Sequence, residues 1–242
     1  MNFITLDFET YYDKTYSLSK LTTEEYIRDS RFEVIGVSVQ LDDSSSSNST
    51  NTWFSGTHAE TQSFLDQFEW GNSSVIAHNA MFDMAILSWR FDIKPARIID
   101  TLSMARALHG TQVGGSLKGL SQHYNIGAKG TEVQDALGKH RADFSVEELE
   151  AYAGYCKNDS ALTYKLFKCL VLDGFPFEEL KLVDLTLRMF TEPVLEVGTY
   201  LLETHLDELK AKKATWLAEA DVSREQIMSN PQFAELLKAQ GV

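Results

Sequence analysis

Ile4-Thr5-Leu6-Asp7-Phe8-Glu9-Thr10 sets two carboxylates inside a run that otherwise reads as a buried strand. Asn2 to Phe8 mixes Phe, Ile, Thr and Leu with no breaker, which predicts β structure. Side chains alternate faces along a strand, so Asp7 and Glu9 project from the same side. An ionised carboxylate is costly to bury unless something positive compensates it. Two more segments repeat this pattern. Ala77-His78-Asn79-Ala80-Met81-Phe82-Asp83 follows the apolar strand Ser74–His78, and Tyr155-Cys156-Lys157-Asn158-Asp159 lies in a long helical stretch. The spacing predicts a helix over Ala80–Trp89, with Asn79 and Asp83 sharing a face at its start. Within the helical stretch Glu147–Leu166, Tyr155 and Asp159 are again four apart. Clustered carboxylates suit two hard divalent cations, Mg²⁺ or Mn²⁺, and the chemistry of such a pair is phosphodiester cleavage.

Singly, these patterns say little. Asp-x-Glu reads as a solvated edge, Asn-x-x-x-Asp as a cap with a first-turn acid, and Tyr-x-x-x-Asp as an ordinary helix. In this order, on these elements, they resemble the three-motif signature of the DnaQ-like 3′–5′ exonucleases, a ribonuclease-H-like superfamily with four acidic metal ligands. The first motif is matched by Asp7 and Glu9, the second by His78, Asn79, Phe82 and Asp83, and the third by Tyr155 and Asp159. Gly154 stands five residues before Asp159, where the other subclass has histidine, so the resemblance is to the tyrosine subclass.

The resemblance implies roles. Asp7 bridges two metals; Glu9 and Asp159 complete the site of the ion that activates water; Asp83 helps fix the second. Tyr155 orients the attacking water, a better role than proton abstraction for a phenol of ordinary pKa about 10. Asn79 contacts substrate or a group behind the ligands. Thr10, Met81 and Phe82 are candidates for the terminal-nucleotide pocket; Phe8 is another, but faces away from Asp7 and suits a core equally. His78 reads as a packed or hydrogen-bonding histidine, and His109, His123 and His140 show no metal spacing.

The N-terminal run to Gly36, with Tyr11-Tyr12 and Thr23-Glu24-Glu25-Tyr26, is most like phage-type members. Met189–Val197 resembles the segment that leads from exonuclease into polymerase in family A DNA polymerases, and Met228–Lys238 resembles the start of the thumb there. The expected organisation is an exonuclease domain over 1–175 and a helical extension over 176–242. The implied function is the proofreading portion of such a polymerase. Its partners would be single-stranded DNA 3′ ends and a polymerase domain in cis or replication proteins, although nothing in the chain resembles palm or finger motifs. Two alternatives stand beside it: an RNase D-like or oligoribonuclease-like enzyme acting on RNA ends, and a nuclease-dead nucleic-acid clamp or assembly platform.

The 242 residues are 43% hydrophobic, enough for one large domain with an extension. Cys156 and Cys169 fall on expected helices and read as reduced thiols. No apolar run reaches transmembrane length and no signal peptide is visible, so no membrane partner is expected. The expected setting is the cytoplasm, that of the host if the chain is phage-encoded. A net charge of −13, with 35 acids against 22 bases, is not the profile of a protein that grips duplex DNA by counterion release. Two bound divalent cations would offset part of it, and stacking at a few terminal nucleotides can replace phosphate contacts.

The expected fold is α/β, a ribonuclease-H-like mixed five-stranded sheet flanked by helices with a C-terminal helical extension. Its strands are Asn2–Phe8, Phe32–Leu41, Thr52–Phe54, Ser74–His78 and Arg97–Asp100, the first three as an antiparallel meander. Asp42–Asn51 reads as a serine-rich loop. Helices are expected over Thr22–Asp29, His58–Phe68, Ala80–Trp89, Thr101–His109, Ser116–Tyr124 and Thr131–Gly138. A longer one opens at Ser145 and runs to Leu172 with a bend near Asp159. Pro176–Thr191 and Leu201–Ala220 complete the set.

Overall fold

The computed structural model describes residues 2–43, 49–130 and 136–241. Its sheet has strands β1 (Asn2–Thr10), β2 (Val34–Asp43), β3 (Ser49–Phe54), β4 (Ser73–Ala77) and β5 (Arg97–Asp100), in the order β3-β2-β1-β4-β5. β1 to β3 pair antiparallel, while β4 joins β1 and β5 joins β4 in parallel. The mixed sheet and its meander agree with expectation. The serine-rich segment is shorter than the sequence suggests, because β2 runs on to Asp43 and β3 begins at Ser49.

Helices α1 (Thr23–Arg28), α2 (His58–Leu65), α3 (Met81–Phe91), α4 (Thr101–His109), α5 (Leu117–His123), α6 (Val146–Leu172) and α7 (Glu179–Thr191) complete the first of two compact units, residues 1–193. Local chemistry explains several of their starts. Thr22 with Glu25, Thr57 with Glu60, and Ser145 with Glu148 form reciprocal capping boxes. α6 is one continuous helix through Asp159. The helix expected over 131–138 falls largely outside the described residues.

Both faces of the sheet are covered, and this positions the site. On one face Ile4, Leu6, Phe8, Ile35 and Val37 pack with Met84 and Leu87 of α3. On the other lies α6, whose buried side chains recur every three or four residues, from Tyr152, Tyr155, Cys156 and Asp159 through Leu162, Leu166 and Leu170. Direct bonds fix its register on the meander: Ser160 donates to Ser38 Oγ at 2.7 Å, and Asn51 Nδ2 to the Lys157 carbonyl at 2.8 Å. Since Asp7 pairs with Ser38 across β1 and β2, Asp7 shares that face and lies under α6.

The expected boundary after residue 175 falls inside this unit. α7 docks on α3 through the Thr191 carbonyl, which accepts from Ser88 Oγ (3.0 Å) and Trp89 Nε1 (2.9 Å), and Phe190 lies against Trp89. Asp184 accepts the amide of Ile98 in β5 at 2.8 Å. These bonds tie the helix to the sheet, so the unit ends at Pro193.

The second unit, residues 194–242, contains α8 (Thr199–Glu219), α9 (Arg224–Met228) and α10 (Asn230–Ala239). None of their described residues is buried. Among the described residues no helix is long and apolar enough to cross a membrane.

Candidate metal centre

Asp7 and Glu9 leave β1 on the α6 side as the alternation requires, both partly exposed. Two side chains from consecutive turns of α6 meet them. The Tyr152 hydroxyl donates to Glu9 Oε2 at 2.8 Å, and the Cys156 thiol donates to Asp7 Oδ2 at 3.1 Å and to its carbonyl at 3.3 Å. Ligand atoms of Asp7, Glu9 and Cys156 all lie within 4.8 Å of one another. Gly36, paired with Glu9, leaves room for the Trp53 ring, which a Cβ there would meet at 2.2 Å. Trp53 in turn packs on Tyr152, with centroids 6.1 Å apart. A missing side chain in β2 thus helps place the tyrosine that holds Glu9.

Asp83 arrives from the first turn of α3 and is buried. Its Oδ1 accepts the Phe8 amide at 3.0 Å, between the two carboxylates of β1. Asp159, also buried, points from α6. Its Oδ2 meets Lys129 Nζ at 2.6 Å, while its Oδ1 has no partner among the described residues.

Burial and neighbouring negative charge raise three of these acids. Burial first, and Asp159 second, push the Asp7 carboxyl up to about 7. Burial and the neighbouring Asp7 raise Glu9 and Asp83 as well. Such mutual elevation is what like charges produce when held together in a partly dry site. A set of hard oxygen donors with a stranded buried carboxylate oxygen fits a divalent cation.

Tyr155 is buried beside this group, with Lys129 Nζ 5.3 Å from its ring centroid. Burial pushes its hydroxyl well above the ordinary phenol value. The tyrosine bonded directly to a carboxylate of this cluster is Tyr152, which the sequence did not single out. Lys129 and the Cys156–Asp7 bond were also missed. Tyr152 is three residues before Tyr155 on the same face of α6, and that spacing was the available signal; nothing local marks Lys129.

The expected substrate residues divide between two cavities. Thr10 and Phe82 line one of about 270 Å³ beside Glu9, with Tyr12 and Tyr26. Phe8 reaches its wall, but its ring stacks on Phe91 in the core. Asn79 and Met81 line a different cavity of about 630 Å³, with Arg106 and residues of α7. Asn79 does not share a helical face with Asp83. It precedes α3 in the left-handed region (φ 67°), where its amide and that of Ala80 donate to Asp100 Oδ1 at 2.9 and 3.2 Å. Asp100 also caps α4 through Leu102 and Ser103, so one carboxylate anchors both the turn before α3 and the start of α4.

His78 is structural, as its sequence context suggested. Nδ1 lies 2.9 Å from Thr101 Oγ1 and Nε2 lies 3.0 Å from the Gly115 carbonyl, and burial lowers its pKa. Cys156 and Cys169 are free thiols.

The family model for 3′–5′ exonuclease matches residues 6–173, which include all four acids. No curated protein sequence matches. Among solved structures, Brucella melitensis NrnC is similar at TM-score 0.54 and 14% identity, over 78% of this chain and 81% of that one. NrnC bound to pGG is similar at TM-score 0.53 and 15% identity, with the same coverage. Trypanosoma brucei RNase D is similar at TM-score 0.55 and 14% identity, over 81% of this chain and 68% of that one. At these identities the likeness is one of fold. None of the three is described as a polymerase, so the expected proofreading context, with its replication and phage setting, gains no support from them. The chain belongs to the 3′–5′ exonuclease family.

Proposed function

We propose that the chain removes nucleotides one at a time from the 3′ end of single-stranded RNA, releasing 5′-mononucleotides, with two divalent cations, Mg²⁺ or Mn²⁺, held by Asp7, Glu9, Asp83 and Asp159. The convergence of four carboxylates around the C-terminal end of the central strand β1, with a buried Asp159 oxygen left without a partner, carries this reading. Bound there, the ions would supply an activated water and neutralise charge on the departing 3′ oxygen.

The chain's own residues do the rest. Tyr152 and Cys156 fix Glu9 and Asp7 by donating to them. Tyr155 keeps its proton at neutral pH and so serves as a donor that orients water. The cavity beside Glu9, walled by Phe82, Tyr12 and Tyr26, offers aromatic faces to a terminal base. Stacking of this kind suits an acidic protein that grips few phosphates.

RNA is favoured as substrate by the company the fold keeps, a ribonuclease by name and a nuclease bound to pGG. A DNA reading, as a proofreading part with a polymerase as partner, rests on the likeness of the N-terminal run to Gly36, of Met189–Val197 and of Met228–Lys238 to family A polymerases. Here Met189–Thr191 close α7, and Phe190 and Thr191 pack against α3, which gives part of the second segment a local structural reason. Digestion of matched 5′-labelled RNA and DNA oligonucleotides in Mg²⁺ or Mn²⁺ tests both. A 3′-shortening ladder of RNA, abolished by EDTA, is expected. Internal cuts or activity in EDTA would refute the exonuclease assignment, and DNA digested faster than RNA would overturn the choice of substrate.

A further inference from the structure

Lys129 reaches the acid cluster from a loop that is built to deliver it. Asn158 Nδ2 donates to the Ala128 carbonyl at 3.0 Å, and the Ile126 amide to the Ser121 carbonyl at 3.1 Å. Gly127 has φ +141°, and a Cβ on it would meet Leu162 of α6 at 2.9 Å. Only glycine lets the backbone lie this close to α6 in that conformation. The lysine stem is mostly covered, with 28% of its side chain exposed, and Nζ closes on Asp159 Oδ2 at 2.6 Å beside the Tyr155 ring. Its charge also favours ionised Asp7 and Glu9, against the burial that raises them.

A cation so placed does what a metal does there, and the two compete in the same field. Resting on the reading of this site as a metal centre, we propose that Lys129 is a resident counter-cation, which holds Asp159 in the metal-free protein and opposes the binding of divalent metal. Four carboxylates without it would collapse apart or protonate when metal is scarce; with it, the site stays formed and demands more metal to fill. Lys129 is thereby a positioning residue, acting through Asp159.

Lys129→Met keeps the stem and removes the charge, and Lys129→Arg keeps the charge. Mn²⁺ binding by calorimetry and thermal melts in EDTA and in saturating Mn²⁺ read the two halves of the proposal. Removing one positive charge within a few ångströms of the site should tighten Mn²⁺ binding about tenfold or more. In EDTA Lys129→Met should melt several degrees below wild type, because a buried carboxylate loses its partner, and the two should converge in saturating Mn²⁺. Lys129→Arg should stay near wild type in both measurements. Should Lys129→Met not fold, Lys129→Gln carries the same comparison.

Mn²⁺ affinity of the uncharged variant within about twofold of wild type, or weaker, would overturn the inference while leaving the functional reading intact. Tightening by Lys129→Arg equal to that of Lys129→Met would overturn it too. A wild-type protein that binds no divalent metal would sink both.

Discussion

Replacing Asp7 by asparagine should stabilise the metal-free protein at neutral pH while destroying its function. The Asp7 carboxyl is raised from the ordinary carboxylate range to about 7 by burial and by Asp159. A carboxyl whose folded value exceeds its unfolded one binds its proton more tightly in the folded state. Stability contributed by that proton is therefore full below about pH 4 and is lost as pH rises through 7. With ~1.4 kcal/mol for each pH unit between the two values, ionising Asp7 in the folded chain costs at most about 4 kcal/mol. Asp7 is partly exposed, so water screens the charge, and about 2 kcal/mol is the expected net effect. Asparagine mimics the protonated form and its oxygen still accepts from Cys156. For a unit of this size, Asp7→Asn should then melt about 4–8 °C above wild type at pH 8 in EDTA, and the gap should close by about pH 4. Thermal melts followed by circular dichroism at both pH values measure it. An Asp7→Asn protein no more stable than wild type at pH 8, or a gap unchanged at low pH, would refute the claim that burial and Asp159 raise the Asp7 carboxyl.

Asp83 differs because it accepts the buried Phe8 amide. Both Asp83→Asn and Asp83→Ala should abolish turnover, but only alanine strands that amide, at ~1–3 kcal/mol. In EDTA the alanine variant should melt below the asparagine variant; equal melting temperatures would show that the Phe8 bond contributes nothing. Tyr155→Phe removes a water-orienting hydroxyl and no metal ligand, so Mn²⁺ affinity should persist while single-turnover cleavage falls by about 10²-fold or less. An unchanged cleavage rate would remove Tyr155 from the mechanism.

The sheet and most of its helices were legible in the sequence, because each depends on short-range rules: alternation in β1, spacing of three and four on α6, apolar content in β4. Residues two or four apart on a regular element must point together, wherever that element later goes. It could not see that the turn before α3 would be drawn into the left-handed region, since the anchor is Asp100, at the far end of β5. Nor could it show that α7 packs into the first compact unit, because the bonds of Thr191 and Asp184 to α3 and β5 join residues about 90 to 100 apart along the chain. Lys129 and Tyr152 share the same limit. Their meaning lies in Asp159 and Glu9, which are respectively 30 and 143 residues away along the chain. Local spacing thus determined which carboxylates the chain would offer. Only tertiary packing, which closes distances that no periodicity records, decided which groups compensate their charge.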